Sequence, residues 1–297
     1  MNLQKLYLSL FLLLVVFSAQ SQDMLEQLRS QTKQAPEVVM GTFKGTRIIN
    51  GQSIETRGKG NLDVIISHRF GRINSGAYNL FGLDDSNVRL GLEYSISDRI
   101  TVGFGRNSVN KVYDSFIKAR ILEQKKQGMP ISATWVSDFS VYTLKRPELP
   151  MDFSRRLRYV HQLLLARKFG SALSLQLMPS FVHRNLVPTQ EDANNLAALG
   201  IGGKVAISNR VNLTGEYYYR FGKDLPGYNS LGIGVDIETG GHVFQLHLTN
   251  SNEMTPSGFI PSTQGNFFDG DIHFGFNVVR SFQTGKNKKK IGEKNQM

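Results

Sequence analysis

Asp236, Glu238 and His242 surround the short Thr239-Gly240-Gly241 segment, with His247 five residues beyond His242. A carboxylate beside an imidazole is raw material for general-base chemistry or a metal site. Catalysis also needs a nucleophile in reach, and no G-x-S-x-G or comparable context accompanies these residues. The competing reading is a hydrogen-bonded hairpin end with a paired charge. Gly200-Ile201-Gly202-Gly203-Lys204 has the composition of a phosphate loop but not the strand–loop–helix setting in which glycine amides cradle a phosphate. Glycines on the inner face of a strand instead make room in a crowded interior. Asp84-Asp85 could offer oxygens to Ca²⁺, yet D-D-S-N lacks the ligand rhythm of an EF-hand. The sequence therefore predicts no catalytic residue, no metal and no cofactor.

A distributed set is more coherent. Arg69, Arg89, Lys118, Arg120, Lys204 and Arg220 share an inward parity with Glu93, Glu216 and Asp236 along extended segments. Rings of like charge around a pore admit counter-ions. The alternative is a ladder of structural ion pairs that fills a closed lumen.

These residues need strands to position them. In VNLTGEYYYRF (211–221), Val211, Leu213, Gly215, Tyr217, Tyr219 and Phe221 lie on one side of an extended chain, and Asn212, Thr214, Glu216, Tyr218 and Arg220 on the other. The pattern recurs near 38–49, 61–70, 88–96, 99–107, 113–124, 130–142, 155–168, 172–184, 196–207, 210–221, 229–238, 241–250 and 271–282. Tight turns at Ser97-Asp98, Gly170-Ser171, Asn209-Arg210 and Gly240-Gly241, with the slightly longer Lys125–Met129, alternate with longer connections at 71–87, 143–154, 185–195, 222–228 and 251–269. Short and long ends in alternation are the hairpin order of an outer-membrane barrel. Counting from 61–70 predicts an all-β, up-and-down transmembrane β-barrel of about 12 antiparallel strands (12–14). The segment 38–49 is then surplus: it lies in the lumen or periplasm, or it has a partner strand.

Facing agrees. Leu90, Leu92, Leu175, Leu177, Ile201, Ile233, Phe244, Leu246, Phe274 and Phe276 share one parity, whereas Gln176, Gln245, His247, His273 and Asn277 share the other with the charged set. A charge or amide in hydrocarbon costs several kcal/mol, roughly, so the second set cannot face lipid. Aromatics near strand ends (Tyr94, Tyr113, Tyr159, Phe181, Tyr217, Tyr219, Phe221) suit the two interfaces.

The 297 residues are 40 % hydrophobic with a mean hydropathy of −0.24, which excludes a bundle of membrane helices. Lys5, the apolar run Leu6–Phe17 and Ala19-Gln20-Ser21 describe a secretory signal peptide over 1–21. With no cysteine, disulfides and thiolate chemistry are excluded. The formal charge of +11 is partly local to the lysine-rich tail 284–297. That tail suits a periplasmic anionic partner, and nucleic acid is not expected of an exported chain. The expected organisation is 1–21 signal peptide, 22–50 N-terminal segment (a short helix and a strand, periplasmic or lumenal), 51–283 barrel and 284–297 flexible tail.

The stretches TFKGTRIING (42–51), HRFG (68–71), FGLDDSNVRLGLEYSISDR (81–99), ETGGHVFQLHLTNS (238–251) and GDIHFGFNVVR (270–280) resemble an uncharacterised outer-membrane β-barrel family of diderm bacteria, a domain of unknown function. The resemblance implies a barrel and an outer-membrane address but no catalytic residues. The final strand, ending in Phe282, is similar to those read by the barrel-assembly machinery, which is expected as a partner beside outer-membrane lipids. The leading functional expectation is a narrow, porin-like channel favouring small anionic solutes. Its alternatives are a non-conducting scaffold barrel plugged by paired charges and residues 23–50, and a barrel enzyme using the His242/His247 region on membrane lipids.

Overall fold

The computed structural model describes residues 37–145, 152–187, 192–223 and 225–284. The expected signal peptide, the short helix at 23–34 and all but the first residue of the tail lie outside them. Twelve antiparallel strands form a closed barrel in which every strand pairs with its sequence neighbours and β1 closes on β12. They are β1 (Asn61–Arg72), β2 (Ser86–Ser95), β3 (Ile100–Asn107), β4 (Val112–Leu122), β5 (Ser132–Tyr142), β6 (Leu157–Lys168), β7 (Leu173–Arg184), β8 (Asn195–Ala206), β9 (Val211–Phe221), β10 (Ser230–Thr239), β11 (His242–Thr249) and β12 (His273–Gln283). Closure runs from Asn61 opposite Gln283 to Arg72 opposite His273, with one irregularity after Arg69.

Short turns gather at the end where β1 starts and β12 stops, called the base here. The tightest joins β10 to β11 through Gly240-Gly241, where Gly241 has φ +126°, a region closed to most L side chains. The opposite end, the mouth, carries the longer connections, apart from the four residues 108–111 between β3 and β4. The longest, between β11 and β12, contains a short helix α1 (Pro256–Ser262), with a proline at its first turn.

The barrel is a soluble protein turned inside out. Leu90, Leu92, Leu175, Leu177, Ile201, Ile233 and Leu246 are each exposed on the outer face, whereas Asp63, Arg89, Glu93, Lys118, Gln176, Glu216, Asp236 and Asn277 are buried inside. No water-exposed sheet would place its apolar residues so; a wall in contact with hydrocarbon must. Near the mouth, stacked or tilted ring pairs Phe70–Phe274, Phe139–Tyr159 and Tyr159–His183 form an aromatic band at the interface. Among the described residues no helix is long and apolar enough to cross a membrane, so the strands alone would span.

Two expectations change. The segment 38–49 is not a strand, and the wall begins at Asn61 rather than at residue 51. Thr42 to Ile54 lie almost wholly buried inside the barrel. Their alternation finds its partner in the segment itself: Arg47 bridges Gln52, Ile48 N–H donates to Gly51 O and Ser53 N–H to Thr46 O, a small hairpin folded on its own return. Its apolar residues Phe43, Ile48, Ile49 and Ile54 pack against inward Phe116, Val136, Leu164 and Met178. The inner wall over β5–β8 is thus partly apolar, because it faces protein rather than water.

Candidate functional site

The lumen is filled from both ends, and its charged residues hold the filling in place. The Glu216 carboxylate accepts three backbone N–H bonds from the tip of the plug hairpin: Ile49 at 3.2 Å, Asn50 at 2.8 Å and Gly51 at 3.0 Å. Three N–H donors thus satisfy this one buried carboxylate. Lys118 does the converse, donating from Nζ to the carbonyls of Thr46 (3.4 Å), Ser53 (3.0 Å) and Glu55 (3.0 Å). A wall anion grips the plug's N–H groups and a wall cation grips its C=O groups.

Neutral side chains complete the cage. Gln245 donates to Arg47 O and Ile48 O, Asn277 to Ile49 O, and Gln176 to Gln52 O at 2.7 Å. Arg69 donates to Asn50 Oδ1 at 2.7 Å and to Asn277 Oδ1 at 3.3 Å. Much of the hairpin's buried backbone therefore exchanges water for a wall partner, which is what allows a polar segment to sit inside a barrel. Glycines supply the room. A Cβ on Gly51 would lie 2.2 Å from Tyr218 Oη, and one on Gly202 would lie 2.5 Å from Ile48 Cδ1. Within 200–203, Gly202 thus clears room for the plug and Gly200 for the inward Tyr218 ring, while Gly203 lies on the outer parity against Leu175.

The ion pairs reach across the wall and into the plug. Arg89 pairs with Asp114 two strands away, Nε to Oδ1 at 2.9 Å, rather than with Glu93 on its own strand. The guanidinium crosses β3 over Gly105, whose absent side chain leaves the path open. Glu93 instead takes Arg47 of the plug at 3.0 Å. Arg120 reaches Glu123 at 3.1 Å and Glu55 at 3.8 Å. Asp63, Asp114 and Asp138 also face inward, so the lumen is less one-sidedly positive than the parity-assigned residues suggest. The signal was present: Asp63 shares the parity of Arg69, and Asp114 that of Lys118.

At the mouth a second stopper hangs from the β11–β12 connection. In α1, Phe259 and Ile260 are fully buried, and the Phe259 ring meets Tyr218 edge-on at 5.0 Å. Arg158 donates to Ser257 O at 3.1 Å and Arg220 to Pro261 O at 3.3 Å and Pro226 O at 2.9 Å. The hydroxyl of Ser257 donates to Ser140 Oγ at 2.9 Å. Around this connection, burial raises the Glu253 carboxyl above its ordinary value, with Asn110 donating to it at 2.9 Å. Asp271 is held low, chiefly by hydrogen bonds from the Asn74 side chain and the Asn266 backbone, with Arg72 at 3.0 Å adding to the effect. Nothing in the sequence reading singled out Phe259 or α1. A proline-flanked apolar hexad inside a polar loop was the available sign.

The turn cluster does not assemble. His242 lies on the outer surface against Arg280 at 2.7 Å, while His247 is buried on the inner face between Arg69 and the backbone of β12. Asp236 accepts from Gln245 at 3.0 Å, and Glu238 pairs with Lys44 at the base. Opposite faces of one strand cannot serve one reacting centre.

The matched family is described as "Membrane bound beta barrel domain (DUF5777)", and its model covers residues 43–282. That span takes in the plug hairpin as well as all of the wall but its last residue. No curated protein matches the chain. Among solved structures, the NanC porin is similar at 9 % identity, covering 74 % of this chain and 98 % of its own, with a TM-score of 0.47. The COG4313 outer membrane channel from Pseudomonas putida F1 is similar at 11 % identity, covering 77 % and 97 %, with a TM-score of 0.49. The outer membrane protein Omp33 of Acinetobacter baumannii is similar at 7 % identity, covering 75 % and 99 %, with a TM-score of 0.42.

Proposed function

The chain belongs to this family of membrane-bound β-barrel domains, and from that premise we propose that it is a gated, narrow outer-membrane channel for small anionic solutes. The base, with its short turns, faces the periplasm and the mouth faces outward. The observation that carries the reading is the pairing of wall cations with neutral carbonyls at both ends. Arg158, Arg184 and Arg220 donate to carbonyls of the outer connections, and Lys168 and Lys204 to carbonyls at the start of the plug. A carbonyl satisfies a donor without cancelling its charge, so these cations support a positive field at each end that concentrates anions, offset in part at the mouth by Glu253 near Arg158 and Asp192 near Arg184. Every plug contact made by Glu216, Lys118, Gln245 and Gln176 is a hydrogen bond that water can replace, which makes the hairpin a removable filling.

Current across planar bilayers tests this. The full chain is expected to be closed at rest, and a variant lacking residues 42–56 to conduct with an anion-selective reversal potential in a KCl gradient. Correct insertion is checked by heat-modifiable migration in mild detergent. An inserted deletion variant that carries no current, or prefers cations, overturns the proposal.

A second reading has its own observation. The plug and α1 share one apolar cluster with the wall through Tyr218, Met178 and Phe259. A lumen sealed by shared packing suits a non-conducting scaffold barrel, and a silent deletion variant would promote it. Catalysis is the weaker reading, since His242 and His247 do not meet.

A further inference from the structure

At the base, two cavities of about 380 Å³ and about 690 Å³ adjoin, with Lys168 and Ser171 in both linings. Six cationic side chains line them, Lys44, Lys125, Lys126, Arg167, Lys168 and Lys204, against one acid, Glu37. Glu37 is taken by Lys126 at 2.8 Å, and Lys44 is taken by Glu238. Lys168 and Lys204 converge on two successive carbonyls of the plug's stem: their Nζ atoms donate to Met40 O at 2.8 Å and Gly41 O at 3.2 Å. Two ammonium groups on neutral acceptors repel one another, and Lys204 does so while only 3 % exposed. Lining the smaller cavity, Asn212 is 1 % exposed and its side-chain nitrogen has no hydrogen-bond partner. Buried donors of this kind are rare and call for an acceptor.

We propose that this double cavity is a binding site for a small oxyanion carrying two negative charges, a phosphate group above all. Its oxygens would lie between Lys168 and Lys204, with Asn212 donating from the smaller cavity. Charge-assisted bonds to an oxyanion are roughly twice as strong as those to neutral carbonyls, so the ligand displaces Met40 and Gly41 from the two lysines. Binding would thereby loosen the stem of the plug. The site rests on the channel reading only for that role; its occupancy is an equilibrium property, so failure to bind and failure to conduct are separate results.

The phosphate could come from a free solute or from a phospholipid headgroup in the leaflet at the base, and the test has an arm for each. Titration calorimetry of the full chain in neutral detergent at low ionic strength, with inorganic phosphate as the probe, should give a saturable isotherm. Lys168→Gln combined with Lys204→Gln should bind at least about tenfold more weakly, as loss of charge-assisted bonds requires. Lys168→Arg, which keeps the charge, should bind within about threefold of the native chain, a change of under 1 kcal/mol. Heat-modifiable migration confirms that each variant is folded, and Lys168→Gln alone serves if the double variant is not. In nanodiscs, blockade of phosphate binding by phosphatidic acid, whose phosphomonoester can carry two charges, relative to discs of phosphatidylcholine alone, supports the site and assigns it to the headgroup. Undiminished binding there supports the site and assigns it to the solute. No saturable binding by the native chain, or equal binding by a folded double variant, overturns the proposal.

Discussion

The two stoppers of this barrel are built differently. The plug hairpin, Thr42 to Thr56, buries four apolar residues but is also gripped by two carboxylates, an ammonium, a guanidinium and three amides of the wall. The mouth helix α1 buries Phe259 and Ile260 and is otherwise tied by two arginine–carbonyl contacts and one hydroxyl pair. The difference teaches which seal each solvent condition should open. Polar ties exchange readily with water and depend on charge; apolar packing depends on shape and temperature.

The largest expected effect is at the mouth. Phe259→Ala removes the ring that meets Tyr218 and should destabilise the docked β11–β12 connection by about 3–5 kcal/mol. Hydrogen exchange and limited proteolysis should then rise in 251–269 and stay unchanged at 48–51. Equal loss of protection at both places would show that the shared cluster makes the two seals one unit. Next comes the plug. Glu216→Gln keeps an acceptor but removes the charge, and should weaken hairpin docking by about 1–2 kcal/mol, the difference between charged and neutral hydrogen bonds. Amides of Ile49, Asn50 and Gly51 should exchange faster while α1 remains protected.

A pH series separates the ends more gently. The folded-state value of Glu253 is raised, so its protonated form is favoured by folding, and docking of the outer connection tightens as pH falls through its folded value towards its unfolded one. Asp271 is depressed, so its tie to Asn74 and Arg72 is present above its unfolded value and is lost as pH falls through its folded value. Protection of 251–269 should therefore pass through a maximum in mild acid, and a steady rise or fall would break this account. The smallest effect is at the rim. Raising KCl to 1 M shortens the screening length to about 3 Å and should weaken the half-exposed Lys44–Glu238 pair while sparing the buried Glu216 contacts. Exchange at 43–45 should rise relative to 49–51.

Much of the wall was legible from residue types. The twelve strands after Asn61 fall within a few residues of the alternating segments, and Leu175, Gln176, Leu246 and Asn277 face as their parity indicates. Asp63, Asp114 and Asp138 were equally readable, because a strand's side chains alternate without exception between bulges. The partner of Arg89 was not readable. It depends on which strands flank one another across a closed sheet and on the gap over Gly105, neither of which lies near Arg89 in sequence.

What the sequence determined by itself is the wall, because hydrocarbon imposes its demand on each residue separately and alternation records the answer locally. What only the tertiary structure decided is the contents of the lumen. The segment 38–49 reads as a candidate strand, yet the closed twelve-strand sheet has no edge to accept another, so residues 42–54 turn inward and pair with themselves. Glu216 and Lys118 then become its anchors, because a buried peptide must find its hydrogen bonds in whatever surrounds it.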